Sequence, residues 1–177
     1  MRKLLSYLIQ QRMVDVIVST GAQIFHDVCE AMGVKHFQGS SLVNDMALKK
    51  EGIDRFYNVY VKEQLQRRVD RRIQDFIHTL DKDYQYSSRE FFKLLGMHLD
   101  KSSQEKDSIL IQAARCGVPI YAPALNDSSI GYSFRGGIVL KNHETATKLN
   151  LFATEHYTGF DQKYGFRLDY QPVIFQC

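Results

Sequence analysis

The chain has 177 residues, of which 24% are charged and 44% are apolar, the balance of a single soluble globular domain with a real core. A formal net charge of +3 is too small to indicate nucleic acid or a membrane surface as a partner. No stretch is apolar enough for long enough to span a bilayer. The three cysteines, Cys29, Cys116 and Cys177, match no zinc-binding spacing, and no secretory leader is recognisable. We therefore expect a cytoplasmic protein with reduced thiols and no metal site.

The first predicted elements are a helix and then a strand–loop–helix unit. Apolar residues at positions 4, 5, 8 and 9 share one helical face. Residues 14–18 form a β-branched run that predicts a strand buried on both faces. Small residues follow at positions 19–22, and from Gln23 the apolar spacing is helical. A ligand at such a loop would meet the amides of the helix's first turn, which favour phosphate. The alternative is a plain turn without a ligand, because no complete Gly-x-Gly-x-x-Gly pattern is present.

The middle of the chain contains the clearest helical pattern. Residues 52–61 read as a loop running into a strand. Residues 62–80 then place their apolar side chains on one face of a helix. The four arginines between residues 67 and 72 fall mostly off that face, and interspersed acidic residues make a solvated surface a better interpretation than a docking surface.

Two capping boxes predict the helices that follow. Ser87 with Glu90 predicts a helix over residues 88–99, and Ser102 with Glu105 predicts a second one that runs to Cys116. Gly117 is a typical left-handed cap for the end of that helix. Residues 118–122 are then expected to form a strand, which ends in a polar loop over residues 123–131.

The remaining residues have weaker patterns, and the chain as a whole indicates one α/β domain over residues 1–177. Residues 138–140 predict a strand, residues 142–157 a helix, and residues 167–175 an edge strand interrupted by Pro172. Alternating strands and helices indicate a largely parallel sheet with flanking helices.

The candidate chemistry lies in the loops at residues 19–22 and 126–131, which face one crevice if their strands are neighbours. Thr20 offers a hydroxyl, and the small residues after it allow close approach to the backbone. Asp127 could accept a hydrogen bond from a ribose hydroxyl or a cationic amine, or simply stabilise a turn. His26 could carry a proton, although a surface or core histidine is the commoner case.

Four collinear stretches resemble one known family. Residues 13–22 followed by 26–27, residues 51–55 with 58–61, residues 87–91 and residues 117–131 are similar to deoxyhypusine synthase, especially its archaeal branch. The resemblance implies a Rossmann-like fold and a homotetramer with active sites at subunit interfaces. It also implies NAD-dependent transfer of the aminobutyl group of spermidine to a lysine in the precursor of the hypusine-containing translation factor. Residues 132–177 match the family only weakly.

The resemblance also implies site residues. Those expected to contact NAD are Thr20, Gly21, Ala22, His26, Asp127 and Gly137. His26 and Asn142 would also lie near the substrate, Asn142 at a position where many members have an active-site histidine. Lys163 is the nearest candidate for the family's nucleophilic lysine, although Gly165 aligns better with that position.

Departures from the family pattern leave other functions open. The family's first strand has no counterpart before Met1, so the fold is expected to be incomplete. The nucleophilic lysine normally follows a Trp-Gly pair, but this sequence has no tryptophan. Phe25 and Tyr132 stand where acidic residues would bind spermidine. The alternatives are a catalytically inactive member that binds a full-length paralogue, or a homospermidine synthase-like transferase. We also expect self-association through a strand edge.

Overall fold

A computed structural model describes residues 1–81, 84, 86–103, 105–123, 125, 128–131 and 133. The expectations for residues 138–175 lie outside this part of the chain. The elements in the described part are α1 (Arg2–Gln10), β1 (Ile17–Val18), α2 (Gly21–Ala31), β2 (Phe37–Gln38), α3 (Asp45–Lys50), β3 (Ile53–Phe56), β4 (Val59–Lys62), α4 (Glu63–His78), α5 (Ser88–Ser102), α6 (Ile109–Cys116) and β5 (Ile120–Tyr121).

A parallel strand pair with flanking helices forms the centre of the structure. Strands β1 and β5 pair in parallel, with Ile17 opposite Ile120 and Val18 opposite Tyr121. Helix α6 packs against α1, α2 and α5, and α5 also packs against β5. Apolar side chains from these elements share one buried core. This arrangement confirms the prediction of parallel strands covered by helices.

The prediction that residues 14–18 are buried on both faces is wrong. Strand β1 is only two residues long, and the side chains of Val16 and Val18 are 43% and 51% exposed. Residues two apart in an extended segment point to the same face. That face is open because no element in the described ranges covers it.

A second, antiparallel sheet was not predicted. Its strand order is β2-β4-β3, and β3 and β4 form a hairpin whose register places Phe56 opposite Val59. Residues 52–61 are therefore two strands and not a loop running into one strand. The connection was hidden because Tyr57, not a glycine, adopts the positive φ of 53° in the turn. The sheet content of the described chain is thus mixed.

Helix α4 follows its prediction closely. Its buried positions include Val69, Ile73, Phe76 and Ile77, and all four arginines between residues 67 and 72 are exposed. This confirms a solvated basic face opposite an apolar stripe.

One of the two predicted capping boxes is correct. Ser87 Oγ accepts a hydrogen bond from the Glu90 amide at 3.2 Å, and Glu90 accepts one from the Ser87 amide at 2.9 Å. The second box is wrong, because Ser102 is the last residue of α5 and its hydroxyl donates back to the carbonyl of His98. Helix α6 is capped by Ser108 instead. Its predicted end is confirmed, with Gly117 at φ 71°.

Candidate functional site

The two candidate loops lie side by side. The Ser19 amide donates to the Tyr121 carbonyl at 3.0 Å, so β1 and β5 end at the same edge. A Cβ on Gly21 would lie 2.4 Å from Ser128 Oγ and 2.7 Å from Ser128 Cβ. The missing side chain of Gly21 therefore makes room for the segment that follows β5. This contact places the start of α2 directly against the second loop.

The N-terminus of α2 presents polar groups to solvent. Thr20 has extended backbone angles, and its Oγ1 accepts a hydrogen bond from the Gln23 amide at 3.3 Å. The Thr20 carbonyl accepts from the Ile24 amide at 3.3 Å. The amides of Gly21 and Ala22 have no possible partner within the helix. Because Thr20 and Ala22 are both exposed, this end of α2 suits a phosphate group.

The described part of the second loop is more apolar and more helical than predicted. Ser128 Oγ donates to the Leu125 carbonyl at 2.6 Å and accepts from the Gly131 amide at 3.2 Å. Residues 129–131 are helical, so Ser128 acts as the cap of a helical turn. Leu125 and Ile130 are buried in the core. The expectation of a polar loop over residues 123–131 is therefore wrong for this part, because apolar side chains anchor it.

A chain of three side chains extends from the exposed side of α2. His26 Nδ1 lies 3.1 Å from His36 Nε2, and His36 Nδ1 lies 3.3 Å from Glu30 Oε1. The second distance is that of an ion pair, but its angle falls outside that of a hydrogen bond. Glu30 also pairs with Arg2 at 3.0 Å. Burial lowers the pKa of His26, His36 lowers it further, and Glu30 opposes both effects.

Asp27, next to His26, links α2 to α6. Its carboxylate accepts hydrogen bonds from Ser108 Oγ at 2.7 Å, the Ile109 amide at 3.0 Å and the Leu110 amide at 2.9 Å. Burial raises the pKa of Asp27, while these three donors act in the opposite direction. Sequence reasoning gave this residue no role. The available signal was a carboxylate placed among the apolar positions of α2.

The other site candidates fall into two groups. Phe25 is buried in the core, so this position of α2 does not face a ligand. The site candidates that lie outside the described part of the chain are Asp127, Tyr132, Gly137, Asn142 and Lys163. The structure therefore brings together Thr20, Gly21 and Ala22 with the segment after β5, and it places His26 about one and a half turns along the same helix.

The described residues hold no group of three or more histidine, cysteine or acidic side chains arranged to bind a metal ion. Cys29 and Cys116 are free thiols, and burial raises the pKa of Cys29 to about 12. No helix within the described residues is long and apolar enough to cross a membrane.

Comparison with known proteins defines the class of this α/β chain. The deoxyhypusine synthase family model matches residues 1–158. A protein of Methanosarcina mazei named probable deoxyhypusine synthase 2 is 49% identical over 131 residues, which are 74% of this chain and 38% of the relative. The protein of that name from Archaeoglobus fulgidus is 44% identical over 74% of this chain and 43% of its own length. The chain belongs to the deoxyhypusine synthase family, and it spans about two fifths of the length of these relatives.

A solved structure supports the same fold. The crystal structure of a protein from Entamoeba histolytica, described as a deoxyhypusine synthase, superposes with a TM-score of 0.56 at 19% identity. The match covers 76% of this chain and 39% of the other.

Proposed function

We propose that the chain takes part in deoxyhypusine synthesis by binding NAD at the start of α2. The proposed reaction transfers the aminobutyl group of spermidine to a lysine in the precursor of the hypusine-containing translation factor. The proposal is carried by one observation, the meeting of the two strand ends at the exposed N-terminus of α2 in a chain of this family. A Rossmann-like arrangement of the complete sheet is part of the proposal.

The residues at this edge suit a dinucleotide. The amides of Gly21 and Ala22 would donate to the pyrophosphate, and Thr20 would hold the helix start in place. Asp127 would accept from a ribose hydroxyl, and Gly137 would allow close approach to the backbone. When bound, NAD would supply the hydride acceptor that the transfer requires.

The substrate side of the proposal rests on fewer groups. His26 and Asn142 would contact spermidine, and Lys163 is the candidate amine for the covalent intermediate. Phe25 is buried where family members are expected to present a carboxylate to this polycation. We therefore propose that groups from another chain complete the substrate site, either in a homo-oligomer or in a complex with a full-length paralogue.

This burial of Phe25 also favours a second candidate function. A polycation gains little from an apolar side chain that is not accessible to it. In this second proposal the chain binds NAD and a full-length partner but transfers no aminobutyl group by itself. The two proposals share the nucleotide site and differ in the transfer step.

The nucleotide site is tested by changing charge alone at an exposed position. Ala22→Glu places a carboxylate in the first turn, where it stabilises the helix through its dipole but repels a bound phosphate. Ala22→Gln is the matched uncharged control. We expect Ala22→Glu to bind NAD about tenfold more weakly than Ala22→Gln in calorimetric titration, a difference of about 1.4 kcal/mol. Equal affinities for the two variants would rule out a phosphate at this helix end.

The transfer step is tested separately. The purified chain is incubated with NAD and labelled spermidine, with and without the acceptor protein, and NADH fluorescence and label on the acceptor are followed. Label on the acceptor supports a working synthase. The partner role is supported if the chain binds NAD but leaves the acceptor unlabelled, and if adding a full-length paralogue restores labelling of the acceptor. Absence of NAD binding would contradict both proposals.

A further inference from the structure

The side chains of His26, His36 and Glu30 form a connected group beside the proposed nucleotide site. His26 and Glu30 lie one turn apart on α2, and His36 comes from the segment just before β2. The aromatic ring of Phe56, from β3, packs edge-on against His26 with 4.9 Å between ring centroids. Two different elements therefore hold the His26 ring in one orientation.

We propose that Glu30 and His36 set the position of the proton on His26, so that His26 Nε2 is a hydrogen-bond acceptor when the two imidazoles are neutral and a donor after they take up one proton. Its effect on a ligand rests on the proposed function, but the arrangement of protons does not.

The neutral arrangement follows from the donors and acceptors available. The Glu30 carboxylate is negative and has no hydrogen to donate, so an N–H on His36 Nδ1, 3.3 Å from Glu30 Oε1, is attracted to it, whereas a lone pair there would be repelled. His36 Nε2 then carries a lone pair. The 3.1 Å contact with His26 Nδ1 requires one donor, and His26 Nδ1 must supply it. His26 Nε2 is left unprotonated, although the opposite neutral tautomer is equally open to an isolated ring.

Uptake of one proton reverses the hydrogen bond between the two imidazoles. With hydrogen on both nitrogens, His36 donates from Nε2 to His26 Nδ1, and its Nδ1–H still faces the Glu30 carboxylate. His26 Nδ1 becomes an acceptor, and its hydrogen moves to Nε2. Two positive imidazoles whose facing nitrogens are 3.1 Å apart repel each other strongly, so the pair binds its first proton as a unit.

The charges around His26 are few. His36 and burial lower its pKa, and Glu30 raises it. Arg2 of α1 pairs with Glu30 and holds that carboxylate in place. Helices α4 and α6 also pack against α2, but the groups that act on His26 within the described chain are His36 and Glu30.

Nuclear magnetic resonance of the full chain with ¹⁵N-labelled histidine tests the proposal without any ligand. Long-range ¹H–¹⁵N spectra show which ring nitrogen carries hydrogen, and loss of one signal set in His26→Gln assigns His26 among the six histidines. At neutral pH we expect His26 to carry its hydrogen on Nδ1. A wild-type His26 with hydrogen on Nε2 at this pH would overturn the proposal.

Two variants distinguish the proposed control of the His26 proton from a purely structural contact. His36→Phe keeps a ring but removes the proton acceptor, so His26 should change to the other tautomer and titrate at higher pH. Glu30→Gln should shift the titration of His26 to lower pH, the opposite direction. Glu30 is partly exposed and the change is isosteric, so this second variant still tests the proposal if His36→Phe does not fold. Identical titrations in wild type and Glu30→Gln would overturn the proposal.

The effect on NAD is measured as an affinity across the same pH range. A proton on the pair adds one positive charge near the proposed pyrophosphate, so wild-type affinity should rise about two- to fivefold on acidification. In His36→Phe this rise should occur at higher pH, because His26 then takes up its proton without the opposing effect of His36. If NAD does not bind at any pH, the proposed function fails, and the tautomer measurement still tests the proposed position of the proton on His26.

Discussion

At the residue scale, Asp27 is the polar group on which the packing of α2 against α6 depends. It accepts two backbone amides from the first turn of α6 and one hydroxyl from the residue that caps it. These amides lack partners within their own helix, so a buried helix start needs an external acceptor. Asp27 supplies it and thereby fixes α6 relative to the proposed nucleotide site.

Replacing Asp27 by asparagine should destabilise the fold by about 1–3 kcal/mol. The amide nitrogen of asparagine donates, and in either orientation it would face a backbone amide that also donates, that of Ile109 or that of Leu110. Urea unfolding of Asp27→Asn measures the loss. Asp15→Asn is the matched control, because Asp15 is exposed, and it should change stability by less than about 0.5 kcal/mol. Equal stability of the two variants would contradict the role given to Asp27.

Asp70 is a second polar residue whose environment is unfavourable. It is half-buried on α4, burial raises its pKa to about 6, and its Oδ1 has no partner within the described residues. The native state therefore holds this proton more tightly than the unfolded state. The resulting stabilisation is present at low pH and is lost as pH rises from about 4 to about 6.

Asp70→Asn should consequently stabilise the protein at neutral pH and have little effect near pH 4. The full linkage would approach about 3 kcal/mol, and screening at a half-buried site reduces our expectation to about 1 kcal/mol. Unfolding curves at several pH values provide the measurement. A variant that is less stable than wild type at neutral pH would show that the Asp70 carboxylate has a partner that stabilises it.

At the scale of elements, local capping signals were informative only where no tertiary contact competed with them. The pattern Ser-x-x-Glu occurs at both Ser87 and Ser102, but only Ser87 begins a helix. Ser108 begins the next one because Asp27, 81 residues earlier in the chain, accepts a hydrogen bond from its hydroxyl. No local pattern contains that contact. The long periodic helix α4 was predicted well since its apolar stripe is itself the local signal.

Substitution of the two serines should separate the predicted and the observed helix starts. Ser108→Ala removes the cap of α6 and the bond to Asp27, and we expect a loss of about 1–2 kcal/mol. Ser102→Ala removes only a partly exposed hydroxyl that bonds back along α5, so the change should stay below about 0.5 kcal/mol. Thermal unfolding of both variants measures the difference. A larger loss of stability for Ser102→Ala than for Ser108→Ala would support the predicted helix start at Ser102.

At the scale of the whole molecule, the sequence located the candidate site but not the residues around it. The sequence placed both loops in one crevice on the condition that their strands are neighbours, and the pairing of β1 with β5 meets that condition. His36 and Glu30 were not anticipated as partners of His26. Their contacts depend on how the segment before β2 folds back on α2, which no periodicity records. The NAD-binding roles of Thr20, Gly21, Ala22 and His26 stay predictions.

In the described part of the chain β1 has a strand on one side only, and this open edge should promote self-association. The amides of Ile17 and Ser19 bond to the segment containing β5, so that of Val18 points away from it, and the side chains of Val16 and Val18 are exposed. An unpaired apolar edge of this kind is a template for another chain. Light scattering should therefore detect oligomers or aggregates.

Val18→Lys should reduce this self-association, because a lysine on an edge strand opposes pairing. Leu42→Lys is the control, since Leu42 is 95% exposed and lies between β2 and α3, outside the β1–β5 pair. A wild-type sample that is a monodisperse monomer at all concentrations would contradict this prediction, as would an equal effect of the two substitutions.

The most direct test of the central claim is the thermal stability of the chain with and without NAD. At about a hundred times its dissociation constant, a ligand adds about 2.7 kcal/mol to the native state. For a chain of this size, each kcal/mol raises the unfolding midpoint by roughly 2–4 °C. We therefore expect NAD to raise the midpoint by about 5–10 °C. An unchanged midpoint in a sample that unfolds cooperatively would contradict NAD binding by this chain.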